Sequence, residues 1–314
     1  MCCPIPISTH RLPMCGDRSF LTRRRLLAST FAAGLLPGAF GRAQAQTTPM
    51  RIISLDYGLS STLLGLGVTP LAISDRADWG RWVREPELPA EVVDLGSSLE
   101  VNRELLAALT PDLILTTPYL DGISDRVAAY GRLLRLSVYA PENGAVLEAA
   151  VRATRTLAAN IGREAEAGRF LERSDAFFED CRARIARKAP PPMAFVNFLD
   201  ARHARIYGPP GLFDNVLARI GVENAWKEPS NYWGFQTISI EELSRIKDPK
   251  THLVAFDPIP GDVLPKLVRS PLWQALPFAQ GKQFHILPPA LMFGMVNEGM
   301  RFARLLTTLV ETRL

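Results

Sequence analysis

Three aromatic side chains, Tyr232, Trp233 and Phe235, are crowded into the segment Asn231-Tyr232-Trp233-Gly234-Phe235, just after Pro229-Ser230. Proline, serine and glycine punctuate loops, and loops run over surfaces. Rings placed here either tuck under the loop or wall a ligand cleft. Similar compositions recur elsewhere. Trp79 and Trp82 lie in "DWGRWVREP" (78–86), Tyr119 in "TTPYLDG" (116–122), and Leu291 and Phe293 in "PPALMFGM" (288–295). Ring faces hold a ligand by dispersion and apolar burial, so the chemistry these stretches could do is recognition.

Bond-making chemistry has less to stand on. The sequence has no nucleophile elbow, no P-loop, no His/Cys spacing of the zinc type and no G-x-G-x-x-G opening a helix. "LLGLGVTPL" (63–71) carries Gly65 and Gly67 but lacks the third glycine, and reads as a helix stop. His203, His252 and His285 are far apart in the chain, and His285 within "QFHILP" reads as a strand histidine. The chain is expected not to be an enzyme and to bind no metal or cofactor directly.

The elements that must position the rings form a repeating pattern. "MRIISLD" (50–56) and "TPLAISD" (69–75) read as buried strands around a helix at "SSTLLGLGV". "NRELLAALTPDLILTT" (102–117) is a helix closed at Thr110-Pro111 and then a strand, and "ISDRVAAYGRLLRLSVYA" repeats this with Ser124 as N-cap and "RLSVYA" as strand. From about 144 to 188 no strand signal occurs. Ala167, Phe170, Leu171, Phe177, Phe178, Cys181 and Ile185 fall at helical spacing there, between Glu and Arg clusters that mark a solvated face. The spacing predicts a helix of about 25 residues, roughly 37 Å long, stopped by Pro190-Pro191-Pro192. Strands and helices then resume: "MAFVNFLD", "RIYG", "GLFDNVLARIG" to Gly221, a capping box at Ser239-x-x-Glu242, "HLVAFDP", "VLPKLVRSPLWQAL", "QFHILP" and a terminal helix. Continuous apolar strands alternating with helices imply parallel sheets covered on both faces.

The expected fold is therefore α/β with two lobes, each a central, mostly parallel sheet flanked by helices, joined by a single long rigid helix. Its expected divisions are a leader at 1–45, a first lobe at 46–160, the connecting helix at 161–189 and a second lobe at 190–314. Three of the aromatic stretches follow predicted strands and "NYWGF" lies between predicted elements of the second lobe, so that all four fall where open α/β sheets build their ligand crevices.

The leader follows from its own composition. Arg23-Arg24-Arg25 precede an apolar run broken by Gly34, Pro37 and Gly38, and Ala43-Gln44-Ala45 offers a small-residue cleavage site. Thr22-Arg23-Arg24-x-Leu26-Leu27 is similar to the twin-arginine export signal, which points to the periplasm. Residues 1–45 hold six arginines and one acid, a net of +5, whereas the whole chain is +4, so residues 46–314 carry about 4 − 5 = −1. The basic balance thus belongs to the leader, and a nucleic-acid partner is not expected. Cys181 is the one cysteine beyond the leader, so no disulfide is expected within the mature chain.

"GRWVREPELPAEVVDLGSSLEVNRELLAALTPDLIL", "LDARHARIYGPPGLFDNVLARIGVENAW", "NYWGFQTISIEEL" and "SPLWQALPF" together resemble the periplasmic ferric hydroxamate-binding proteins that serve ABC importers of ferrichrome-type siderophores. The likeness runs in one register from about 50 to 310. It implies a monomeric carrier that holds iron(III) inside its siderophore and delivers it to inner-membrane permease subunits. It also implies that Asn231, Trp233 and Trp82 face the chelate. Phe235 falls on a small polar cleft position of the family, and Leu291 and Phe293 fall on an aromatic pair. The first-lobe arginine that grips hydroxamate oxygens falls on Ser98, and its tyrosine neighbour falls on Leu120, with Tyr119 one place away. Arg205 falls where the family has an apolar side chain, and its fork suits the polar oxygens of a ferric chelate. Asp125 and Asp262 fall on or near acidic positions that meet the permease. The departures leave the chelate's identity open. A corrinoid or haem carrier on the same fold, and an exported cofactor-containing enzyme, stand as alternatives.

Overall fold

The side chains of Ile52 and Ile53 offer no polar group, and with Ser54, whose hydroxyl donates to the Asp56 carbonyl at 3.0 Å, they form the fully buried centre of a parallel sheet. The computed structural model describes residues 49–140, 144–281 and 283–314, so the expected leader lies outside the described residues. In the first lobe, β1 (Ile52–Ser54), β2 (Ala72–Ile73), β3 (Val93–Asp94), β4 (Leu113–Thr116) and β5 (Arg132–Arg135) lie in the order β3-β2-β1-β4-β5, all parallel. The crossovers carry α1 (Tyr57–Gly65), α2 (Trp79–Trp82), α3 (Arg103–Leu109) and α4 (Asp121–Ala128).

Two local elements differ from their sequence-based expectation. Ser124 sits inside α4 rather than at its N-cap, its hydroxyl donating to the Leu120 carbonyl at 3.3 Å. The fifth strand is Arg132–Arg135, so most of the expected "RLSVYA" strand has left the sheet. Residues 136–140 instead lead toward the interlobe face.

The strandless middle holds two helices, α5 (Val146–Ile161) and α6 (Glu164–Ala186), broken where Gly162 turns left-handed at φ +67°. The 23 residues of α6 span roughly 34 Å and carry the chain from one lobe to the other. Its buried face is Ala167, Phe170, Leu171, Ser174, Phe178, Cys181 and Ile185, close to the face its spacing predicts, and Phe177 is half-buried against the same core.

The second lobe comprises β6 (Met193–Phe198), β7 (His203–Tyr207), α7 (Leu212–Ile220), β8 (Phe235–Ser239), β9 (His252–Phe256), α8 (Val263–Arg269), α9 (Pro271–Gln274), α10 (Pro277–Gln280), β10 (Phe284–Leu287) and α11 (Val296–Arg313). Its sheet order is β10-β9-β6-β7-β8, with β6, β9 and β10 parallel and the β6-β7-β8 meander antiparallel. The Ser239/Glu242 capping box is present and opens a 3-10 turn at Ile240–Arg245. His252 and His285, distant in sequence, meet across β9 and β10 with Nδ1 and Nε2 2.8 Å apart.

One hydrophobic core runs through both lobes. It includes Ile52, Leu113 and Leu115 beneath the first sheet, Phe195, Val254 and Phe256 beneath the second, and side chains of α5, α6 and α11 between them. No helix among the described residues is long and apolar enough to cross a membrane.

Candidate functional site

The ends of the strands place the site. β1, β2 and β4 run out into Asp56, Ser74-Asp75 and Thr117, and β6, β7 and β9 lead to Leu199, Tyr207 and Asp257; these residues line one cavity of about 710 Å³ between the lobes. A volume of that order is that of a small-ligand site.

The aromatic wall is assembled around Trp233. Its ring lies nearly parallel to Tyr139 (centroids 5.5 Å apart, planes at 20°) and edge-on to Tyr119 (6.1 Å) and Phe293 (5.4 Å). Tyr119 and Tyr139 belong to the first lobe, so the second-lobe tryptophan closes on first-lobe rings. The Tyr139 hydroxyl lies 2.6 and 2.7 Å from the carbonyl oxygens of Met292 and Gly294, to which it donates. That contact fixes the 292–295 loop against the first lobe. Burial pushes the Tyr139 phenol well above its ordinary range, with the negative charges of Glu298 and Asp56 adding to the effect.

Trp82 lines the cavity, whereas Trp79, three residues earlier at the start of α2, is core: it is buried against Tyr57 and its indole N–H donates to the Pro86 carbonyl at 3.0 Å. The loop is tied down beyond it, where Glu85 pairs with Arg301 and Arg304 of α11. Arg81 lies over the Trp82 ring at 4.7 Å, exposed at the cavity's rim, with Asp78 4.0 Å from its guanidinium.

Arg205 is the half-buried cation of the second-lobe wall. On β7 it stands opposite Asn197 and Thr237, and its guanidinium lies over Phe235 at 4.3 Å and Phe293 at 5.8 Å. Its Nε is buried without a hydrogen-bond partner. Beneath it the Tyr207 hydroxyl donates to Asn197 Oδ1, and Asn197 Nδ2 donates to the Phe256 carbonyl at 3.3 Å. Burial raises the Tyr207 phenol, and the Arg205 charge works in the opposite direction.

The structure thus gathers Trp82, Ser98, Tyr119, Arg205, Trp233, Phe235, Leu291 and Phe293 around one cavity. Asn231 is not on its wall. The Asn231 Oδ1 accepts from the backbone N–H groups of Trp233 at 3.0 Å and Phe235 at 3.4 Å, and Gly234 N donates to its carbonyl at 2.8 Å. A short amide that can close its own turn does so, and Asn231 shapes the loop that presents Trp233. Tyr232 is exposed and packs on Trp233.

Sequence reasoning missed Asp56, Ser74, Asp75 and Tyr139. Asp56 caps α1, its Oδ1 accepting from Leu59 N at 2.9 Å, and burial raises its carboxyl to about 6. The signal that could have found the acids was their position at strand ends, which the aromatic pattern overshadowed. Among the described residues no histidine lines the cavity, and no group of three or more His, Cys, Asp or Glu is placed to hold a metal ion.

Residues 52–291 match the periplasmic binding protein family. The chain belongs to that family. It is 29% identical over 288 residues to the iron(3+)-hydroxamate-binding protein FhuD of Escherichia coli (strain K12), covering 91% of this chain and 95% of that protein. It is 24% identical over 279 residues to the achromobactin-binding periplasmic protein of Dickeya dadantii (strain 3937), covering 82% and 84%. Among solved structures, the siderophore-binding protein FhuD from Vibrio cholerae, bound to Fe3+-Desferal, superposes with a TM-score of 0.78 at 25% identity, over 84% of this chain and 99% of that one. The petrobactin-binding protein YclQ from Bacillus subtilis shares the fold, with a TM-score of 0.68 at 15% identity over 85% and 94%. In this periplasmic binding protein the two acids that the resemblance places at the permease contact are both exposed, Asp125 in the middle of α4 and Asp262 at the N-cap of α8. Lys266 Nζ lies 2.6 Å from the Asp262 carboxylate.

Proposed function

We propose that this periplasmic binding protein captures a ferric siderophore of hydroxamate type and delivers it to an inner-membrane ABC permease without transforming it. The observation that carries this reading is the interlobe cavity, walled by rings from both lobes and facing the half-buried Arg205 guanidinium. A ferric trihydroxamate fills the iron's coordination sphere itself. What it presents is an apolar skirt and a ring of partly negative oxygens around the metal. Rings suit the first and a guanidinium fork suits the second.

Trp82 and Trp233, with Tyr119, Phe235, Leu291 and Phe293, would hold the chelate's body, and Ser98 and Arg205 its polar groups. Asp125 and Asp262, one on each lobe, would meet basic residues of the permease, steering encounter more than adding affinity. A monomer exported by its twin-arginine-type leader, with iron carried as cargo inside the siderophore, completes the reading.

Titrating the leader-free protein with ferrichrome and with ferrioxamine B while following tryptophan fluorescence tests it. Saturable quenching by the ferric forms is expected, because Trp82 and Trp233 line the cavity. Quenching by a corrinoid or haem, with none by ferric hydroxamates, would overturn it.

A further inference from the structure

The first-lobe wall carries the opposite charge to the one its resemblance implies. Where an arginine is expected, Ser98 stands, and its backbone N–H donates to Asp75 Oδ2 at 3.0 Å. Asp75 is held in the left-handed region at φ +53°, with its N–H donating to Gly96 O at 2.7 Å and its carbonyl accepting from the Tyr57 hydroxyl at 2.6 Å. The backbone around Asp75 is therefore fixed, and its half-buried carboxylate lines the cavity with no basic side chain paired to it among the described residues.

A second feature points the same way. Ser74, only 4% exposed, also lines the cavity, and its hydroxyl oxygen is buried without a hydrogen-bond partner. A buried hydroxyl that the protein leaves unsatisfied is normally met by something from outside the chain. The surroundings are negative: burial raises the Tyr57 phenol, and the charges of Asp75, Asp78 and Asp94 raise it further. Arg81 is the cation of this lobe on the cavity, but it lies at the exposed rim over Trp82, near Asp78. Arg205 faces from the other lobe.

We propose that the chelate taken by this cavity carries a protonated amine, and that Asp75, with the Ser74 hydroxyl beside it, receives that amine at the first-lobe wall. This rests on the siderophore reading and narrows it to a class of ferric chelate with a cationic pole. The cavity then grips its guest by two poles: the amine at Asp75, and the oxygen-rich iron centre toward Arg205. An ammonium presents three donors, and two of them find acceptors in the free carboxylate oxygen and the Ser74 hydroxyl.

Ferrioxamine B, a linear trihydroxamate ending in a primary amine, and its N-acetyl derivative differ in that charge. Their affinities are compared by tryptophan quenching in the wild type and in Asp75→Asn. Asparagine keeps the side-chain shape, tolerates the left-handed backbone and can still accept from Ser98 N. The wild type is expected to prefer the amine about ten-fold, the value of one charge-assisted hydrogen bond, and the preference should shrink with added salt. Asp75→Asn should abolish the preference, bringing the affinity of the amine form down to that of the N-acetyl form. Equal affinities in the wild type, or a preference that survives Asp75→Asn, would overturn the proposal and leave the siderophore reading intact. Failure of both chelates to bind would remove the hydroxamate reading itself, and this proposal with it.

Discussion

Tyr139 of the first lobe lies almost flat on Trp233 of the second, with ring centroids 5.5 Å apart and planes 20° from parallel. Its hydroxyl is directed at the Met292 and Gly294 carbonyls, so one side chain holds both second-lobe segments of the wall. Tyr139→Phe keeps the stack and leaves those carbonyls without their donor. A loss of about 1 kcal/mol is expected, read as a thermal midpoint about 2–4 °C lower. Tyr139→Leu also removes the stack and should cost about 0.5–1.5 kcal/mol more. Equal midpoints for the two variants would show that the stack carries no energy.

Gly234 makes the aromatic loop possible. It sits at φ +80°, and a Cβ there would lie 2.0 Å from Gly211 Cα and 2.5 Å from Gly211 N. Both obstacles are backbone, which cannot rotate aside. Gly234→Ala should destabilise by about 2–5 kcal/mol, combining left-handed strain with overpacking. Urea unfolding would measure it. A variant within about 0.5 kcal/mol of the wild type, the range of ordinary surface changes, would contradict the contact.

Arg205 is offered as a ligand group, and its burial makes the claim testable on two axes. Arg205→Ala should weaken ferric hydroxamate binding by at least about ten-fold, since hydrogen bonds to charged groups are worth about 1.5–3 kcal/mol. Folding stability should hardly change, because the variant removes a half-buried cation with an unpartnered Nε rather than one half of an ion pair. Arg205→Lys should restore little, since an ammonium cannot lie flat on Phe235 and still present a fork. Unchanged affinity in Arg205→Ala would end the assignment.

Much of this was legible in the chain for definite physical reasons. The face of α6 could be read because Phe170, Leu171, Phe178, Cys181 and Ile185 repeat at the helical period between charges. The aromatic stretches at 78–86, 116–122 and 288–295 could be placed because they follow strand ends, a property of topology rather than of detail, whereas Tyr232 and Trp233 precede β8. Tyr139 was hidden because the apolar run "RLLRLSVYA" does not mark where pairing stops, and β5 ends at Arg135. Asn231 shows a different limit: an amide's type does not say whether it will bond a ligand or its own turn, and here the turn wins. His252 and His285 meet only because β9 and β10 are neighbours, a pairing that sequence distance conceals.

The shared core bears on motion. Side chains under both sheets and on α5, α6 and α11 form one continuous cluster, so separating the lobes would expose apolar surface along its length. Ligand binding should therefore shift the radius of gyration by less than about 1 Å, as for preorganised binding sites. Small-angle scattering with and without a ferric chelate checks this, and a clear compaction would argue for a hinge.

Two acids near the cavity floor give the protein a pH signature. Glu298, fully buried at the third position of α11, accepts from Met295 N at 2.7 Å, and burial raises its carboxyl to about 7, with the Asp56 charge adding to the rise. Asp56 is itself raised to about 6. Both values lie above those of an unfolded chain, so the folded state binds more protons, and stability falls as pH rises from about 4.5 toward 7. Exposed acids such as Asp121 and Glu311 are lowered by their arginine partners and act in the opposite sense at lower pH. The informative quantity is therefore the difference between Glu298→Gln and the wild type. Glutamine can still accept from Met295 N but cannot ionise. The variant should gain stability relative to the wild type as pH rises through that window, by on the order of 3 kcal/mol in all, and the difference should be flat below pH 4.5 and above about 7. A difference that does not change with pH would show that Glu298 titrates as an ordinary carboxylate.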